Sequence, residues 1–312
     1  MKTSAVTPLD LVASVLSVPP LCREDDYALS RSQNIRLLAH LRSRGVSTFM
    51  YGGNANLYHM APSELIRFAE LIQDIADDAD WIIPSVGSDF GKASDQLAFL
   101  RGESFPTAMV LPHRFPFTPA GIATGLRKLA DIFGKPIIAY VKDDGFIEPR
   151  DLANLVADGA VCAIKYAIVR TDPKSDRFLD ELLQHVDRNI VISGIGERPA
   201  IAHLMHYRLA AFTSGSVCVA PALSTALLRA LQRGDIREAE RLRALFIPLE
   251  DLRDRHSPLR VLHAAVGLAG IAETGPLLPF LSTIEDKAVL ASISEEARKL
   301  YDLDGRAMSL AA

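Results

Sequence analysis

Cysteine is scarce in this chain. The three present, Cys22, Cys162 and Cys218, form no CxxC pair and share no zinc-like spacing with histidine. An odd count without a framework excludes a disulfide scaffold and fits a reducing compartment. No apolar stretch reaches the ~20 residues that a membrane-spanning helix needs. Residues 1–10 lack the basic start and apolar run of a secretory signal, so a cytoplasmic protein is expected. A basic excess is missing too: 34 Lys and Arg against 38 Asp and Glu leave a formal net charge of −4. That balance offers no electrostatic footprint for nucleic acid or an anionic membrane surface.

The common nucleotide, metal and esterase signatures are also absent, with no P-loop, HExxH or G-x-S-x-G elbow. Gly52-Gly53-Asn54-Ala55-Asn56 lacks the G-x-G-x-x-G spacing. Gly194-Ile195-Gly196-Glu197 comes late in the chain and runs into Arg198-Pro199. The eight histidines are scattered, and His203 with His206 reads as an exposed helix face rather than a metal pair. Arg253-Asp254-Arg255-His256 reads as a solvated helix end.

What the chain does have is rhythm. Eight short apolar runs, at 12–18, 46–51, 81–86, 107–111, 136–141, 161–167, 189–193 and 209–213, are mostly rich in Val and Ile and show no period of two. Runs of that kind are strands buried on both faces, which implies a parallel sheet covered by helices. Helical patterns lie between them at 30–44, 62–79, 118–133, 149–157, 175–186 and 197–207. Gly45, Gly134 and Gly159 stand as stop signals. Eight β-then-α units without a break in composition predict a (β/α)₈ barrel over residues 11–220, with an open doubly wound sheet as the alternative. Residues 221–312 read as an appended layer of four helices packed on the barrel.

In a barrel the chemistry sits at the C-terminal ends of the strands. There Lys165 stands out, inside Val161-Cys162-Ala163-Ile164-Lys165-Tyr166-Ala167, where a charge is costly to bury. Burial favours the neutral amine, a nucleophile toward carbonyls. A lone strand lysine would otherwise read as snorkelling or paired. Tyr140 ends the neighbouring strand and could relay protons, although a strand tyrosine is more often packed with its hydroxyl satisfied. Gly52-Gly53-Asn54 offers backbone N–H groups as a carboxylate cradle.

Taken in order, these landmarks resemble the dihydrodipicolinate synthase and N-acetylneuraminate lyase family of Schiff-base aldolases, from about residue 11 to 282. Ser17-Val18-Pro19-Pro20 stands at the family's first-strand T-P, Gly52-Gly53-Asn54 at its G-T-T-G-E, and Val86-Gly87-Ser88 at its third-strand V-G. Tyr140 stands at the tyrosine of Y-N-x-P, and Ala163-Ile164-Lys165 at G-x-K. Gly215-Ser216-Val217-Cys218-Val219 stands at G-x-I-S, and 276–282 at the R-P-P-L segment.

The resemblance implies that Lys165 forms the imine and Tyr140 shuttles protons. It implies that Gly53, Asn54 and Val217 line the 2-oxo acid site. It further implies no metal or organic cofactor and a homo-oligomer, a dimer or tetramer. The expected activity is a lyase acting on pyruvate or a longer 2-oxo acid. The alternative is an altered barrel that binds a small carboxylic acid without covalent chemistry.

The departures are specific. Gly53 and Asn54 replace both threonines, which removes the hydroxyl relay to the tyrosine. Arg114 stands where the synthase branch has a second tyrosine, and Gly145 where it has an arginine. Val141-Lys142-Asp143-Asp144 does not continue Y-N-x-P. Arg114 either binds a carboxylate bidentately or points outward.

Overall fold

The structure, a computed structural model, describes residues 1–309. The final residues of the expected helical layer, 310–312, lie outside the described residues. Eight parallel strands close into a barrel in sequence order, with β8 pairing back to β1. They are β1 Leu16–Ser17, β2 Thr48–Tyr51, β3 Trp81–Val86 and β4 Met109–Val110, then β5 Ile137–Val141, β6 Val161–Tyr166, β7 Val191–Ser193 and β8 Ala211–Ser214. All eight expected runs supply a strand. The first is shorter than its run, because Val12 closes a one-turn helix, α1 Pro8–Val12.

Six helices alternate with strands β1 to β7: α2 Arg31–Arg42, α3 Pro62–Ile75, α4 Phe90–Leu100, α5 Pro119–Phe133, α6 Pro149–Ala157 and α7 Arg177–Leu182. Helix α4 answers to no expected pattern. Its buried stripe of Ala93, Gln96, Leu97 and Leu100 has helical spacing, but a small and a polar residue dilute the apolar signal. Asp89 fixes its start by accepting from the Lys92 N–H at 2.8 Å. The helix expected at 197–207 starts late, at residue 200, and runs into a π-helical turn at Ala202–His206. The Glu197 N–H there donates to Glu250 at 3.0 Å instead of opening a helix. His203 is buried, not exposed: its Nδ1 lies 2.7 Å from Ser193 Oγ.

After β8 come α8 Pro221–Gln232, α9 Ile236–His256, α10 Pro258–Leu268 and α11 Lys287–Ser309. Helix α10 packs on the turn after β2, at Gly53–Ala55, so this tail walls the C-terminal mouth of the barrel. No described helix is long and apolar enough to cross a membrane.

One irregularity sets which residues stand opposite each other on β5 and β6. Ile137 pairs with Val161 but Ile138 pairs with Ala163, so Cys162 is an extra residue on β6. Its Sγ sits 3.4 Å from Thr107 Oγ1 and 3.5 Å from the Ile137 carbonyl. A bulge of one residue moves every later side chain to the other face. Beyond it Tyr140 stands opposite Lys165.

Candidate active site

A cavity of about 370 Å³ opens at the C-terminal mouth. The structure brings Lys165, Tyr140, Gly53 and Asn54 to its wall, and Tyr58, Lys142 and Arg253 with them. A larger hollow of about 510 Å³ lies beside α5, lined by Phe90, Val110, Leu126 and Phe146 among others. His113 is its one titratable wall residue, and it holds no lysine or tyrosine, so the smaller cavity is the site of interest.

Lys165 is 4% exposed, and its Nζ lies 4.4 Å from the centre of the Tyr140 ring. It has no hydrogen bond or ion pair among the described residues. Burial pushes its pKa down to about 7, and the positive charge of Lys142 pushes the same way. Near neutral pH a large share of this amine is therefore unprotonated. Gly194 makes room for the side chain, since a Cβ there would fall 2.9 Å from Lys165 Cγ and 2.8 Å from Ala167 Cβ.

Two phenols line the cavity with the amine. Burial, then the neighbouring Tyr58, hold the Tyr140 hydroxyl well above its usual range. Burial pushes Tyr58 up to about 12. Neither hydroxyl has a hydrogen-bond partner among the described residues. Gly53 lies under Tyr58, where an added Cβ would meet the ring at 3.6 Å. Asn54 donates its amide N–H to the Val18 carbonyl at 3.1 Å. Gly215 must lack a side chain, because a Cβ would sit 2.6 Å from Asn54 Nδ2 and 2.3 Å from Leu262 Cδ1.

The expected solvated end at Arg253 is instead a buried anchor. Arg253 is 6% exposed and donates to the Ile195 carbonyl and to Glu250, both at 2.9 Å. It also donates to Asp254 at 3.0 Å. Burial raises the carboxyls of Glu250 and Glu197 above the carboxylate range. Ser214 and Ser224 donate to Glu197 at 2.6 and 2.7 Å. Gly196, in a left-handed conformation with φ +94°, allows this approach, since a Cβ would fall 2.3 Å from Glu250.

Two expected residues lie elsewhere. Arg114 is exposed on the loop after β4 and is absent from the cavity wall, although its charge reaches Tyr58, Tyr140 and Lys142. Val217 is fully buried behind the wall and its N–H is taken by Ser214 Oγ at 2.9 Å; Gly215 lines the cavity in its place. Tyr58, Lys142 and Arg253 were not expected at the site. The one signal for Lys142 was its place two residues beyond Tyr140, just past the end of β5.

No family model and no curated protein matches the chain. Solved structures do. A dihydrodipicolinate synthase from Bacillus clausii superposes with a TM-score of 0.82 at 18% identity, covering 94% of this chain and 99% of that one. The fold is that of the dihydrodipicolinate synthases. A sialic acid aldolase from Ruminococcus gnavus gives a TM-score of 0.80 at 12% identity, over 94% and 99% of the two chains. An E. coli prophage protein of the dihydrodipicolinic acid synthase family, solved with pyruvate, gives 0.78 at 17%, over 92% and 98%. The dihydrodipicolinate synthase fold thus extends over the helical tail as well as the barrel.

Proposed function

We propose that this protein is a lyase that forms a Schiff base between Lys165 and the C2 carbonyl of pyruvate or a longer 2-oxo acid. The observation that carries this reading is a buried lysine at a barrel strand end, without an acid partner, facing a tyrosine across the strand pairing. The neutral amine adds to C2 and the carbinolamine loses water. The resulting protonated imine draws electrons from the next carbon. That carbon then gives an enamine, either by losing a proton or by breaking its bond to C4 as the C4 hydroxyl loses its proton and departs as an aldehyde. The enamine is reprotonated at C3, or expels a C4 hydroxyl as water to leave a conjugated imine, and hydrolysis frees the product and Lys165. Tyr140 exchanges the protons at these steps, with Tyr58 beside it. Free backbone N–H groups around Gly53 receive the C1 carboxylate, in place of side-chain hydroxyls.

The neighbours support this reading: one was solved with pyruvate, and the sialic acid aldolase was also solved as a catalytic-lysine mutant. A cytoplasmic homo-oligomer, dimer or tetramer, belongs to the same reading. Exposed Phe115 and Phe117 on the loop after β4 suit a subunit contact.

The test is to incubate the protein with pyruvate and 2-keto-3-deoxy sugar acids, add borohydride, and map peptide masses. A reduced adduct on Lys165 is expected. An adduct on another lysine takes the imine role away from Lys165, and no adduct while a control aldolase is trapped leaves the barrel as a non-covalent binder of small acids.

A further inference from the structure

The cavity holds a cation that imine formation does not consume. Tyr140 and Lys142 both line it. Lys142 lies just past the end of β5, two residues beyond Tyr140; strand geometry continued by one residue carries it to the same face, about 6.6 Å nearer the mouth. The ladder continues there, since the Ala167 N–H donates to the Val141 carbonyl at 2.7 Å. The cavity residue one step above Lys165 is therefore Ala167, whose small side chain leaves the space beside Lys142 open.

The charges around this space are unequal. Arg253 is already matched by Glu250 and Asp254, and Asp254 also pairs with Arg198. Lys142 is half-buried and has no ion pair or hydrogen bond among the described residues. The negative charge felt there is that of its exposed neighbour Asp143, and Arg114 opposes it. A half-buried ammonium without an anion in an open cavity is a site for one.

We infer that the substrate is a dicarboxylic 2-oxo acid, and that Lys142 receives its second carboxylate while Lys165 holds C2. This rests on the Schiff-base reading. A carboxylate three bonds of about 1.5 Å from C2, with a contact of about 2.8 Å to the ammonium, spans roughly the step between the two layers. Lys142 is thus a specificity-determining residue. The bound carboxylate also offsets the charge that Lys142 presents to Lys165.

The experiment compares two acids of equal length, 2-oxoglutarate and 2-oxopentanoate, with pyruvate as reference. Borohydride-trapped adduct is measured against acid concentration at about pH 8.5, in the unaltered protein and in Lys142→Met and Lys142→Arg. Half-maximal trapping of 2-oxoglutarate is expected at a concentration about tenfold or more below that of 2-oxopentanoate. Lys142→Met removes the preference yet still traps pyruvate, and Lys142→Arg keeps most of it. Equal half-saturation by both five-carbon acids, with pyruvate trapped, overturns this inference alone. So does a preference that survives in Lys142→Met. No adduct with any acid overturns the Schiff-base reading and this inference together.

Discussion

Lys165 and Tyr166 are neighbours on β6 and face opposite sides of it, one toward the cavity and one toward the helices. Tyr166 donates its hydroxyl to Asp176, which also accepts from Arg170 at 2.9 Å and from the Leu179 N–H at 3.1 Å. The Asp176 N–H donates to Tyr207 Oη at 3.0 Å, and that hydroxyl donates to the Lys174 carbonyl at 3.0 Å. Burial pushes the Asp176 carboxyl up, but the bonds from Arg170 and Tyr166 outweigh it and hold the group below the usual carboxylate range. One step away, Lys165 has none of this. A buried polar group that is fully matched fixes structure, whereas one left unmatched costs stability and keeps its reactivity. Under the proposed function, the two sides of one strand thus divide the labour between holding the barrel and doing chemistry.

Substitutions can break this contrast. Lys165→Met is the strongest: turnover falls on the order of 10⁴-fold or more, and borohydride leaves no adduct on the 161–166 peptide. The same variant is expected to be more stable. A base whose pKa drops from 10.5 to about 7 on folding binds its proton better when unfolded. Its cost is fully present below about pH 7 and fades as pH rises toward 10.5. Denaturant unfolding at pH 7 should therefore show Lys165→Met gaining on the order of 4 kcal/mol, with the gain gone near pH 10.5.

Tyr140→Phe comes next, lowering kcat by about 10²–10⁴-fold while pyruvate is still trapped on Lys165. A loss of trapping instead would place Tyr140 in holding the amine rather than in proton transfer. Asp176→Ala tests the other face. It leaves Tyr166 and the α7 start unmatched and costs about 3–5 kcal/mol of stability, read by denaturant midpoint, with adduct formation retained in the folded fraction. Tyr58→Phe is the mildest, at roughly tenfold in kcat, because Tyr140 remains.

The strands were legible because parallel strands buried on both faces read as unbroken apolar runs, and a lysine inside one is conspicuous. Lys165 and Tyr140 followed from that contrast, and Gly53 and Asn54 from their place at a strand end. The rest depends on contacts between distant residues. Nothing local in Cys162 announces that it is the extra residue on β6, because a bulge is defined by the partner strand. Arg253 looks solvated within a run of charges until α9 is laid against Ile195 and Gly196. The glycines at 194, 196 and 215 carry no local sign of their role, yet their contacts show them making room for Lys165, Glu250 and Leu262. Arg114 and Val217 show the converse. Each stands at a plausible strand end, but one side chain is exposed on its loop and the other is packed behind the wall.

The most direct test of the account is the ionisation of Lys165 itself. Brief competitive labelling with an amine-acylating reagent across pH 5–11, quantified on the peptide bearing Lys165 against exposed Lys299, separates the two kinds of lysine. The account predicts half-maximal reactivity near pH 7 for Lys165, with Lys299 titrating in the ordinary lysine range or above it. A Lys165 profile that rises only alongside Lys299 would mean an unseen partner keeps it charged, and the contrast between the two faces of β6 would fail.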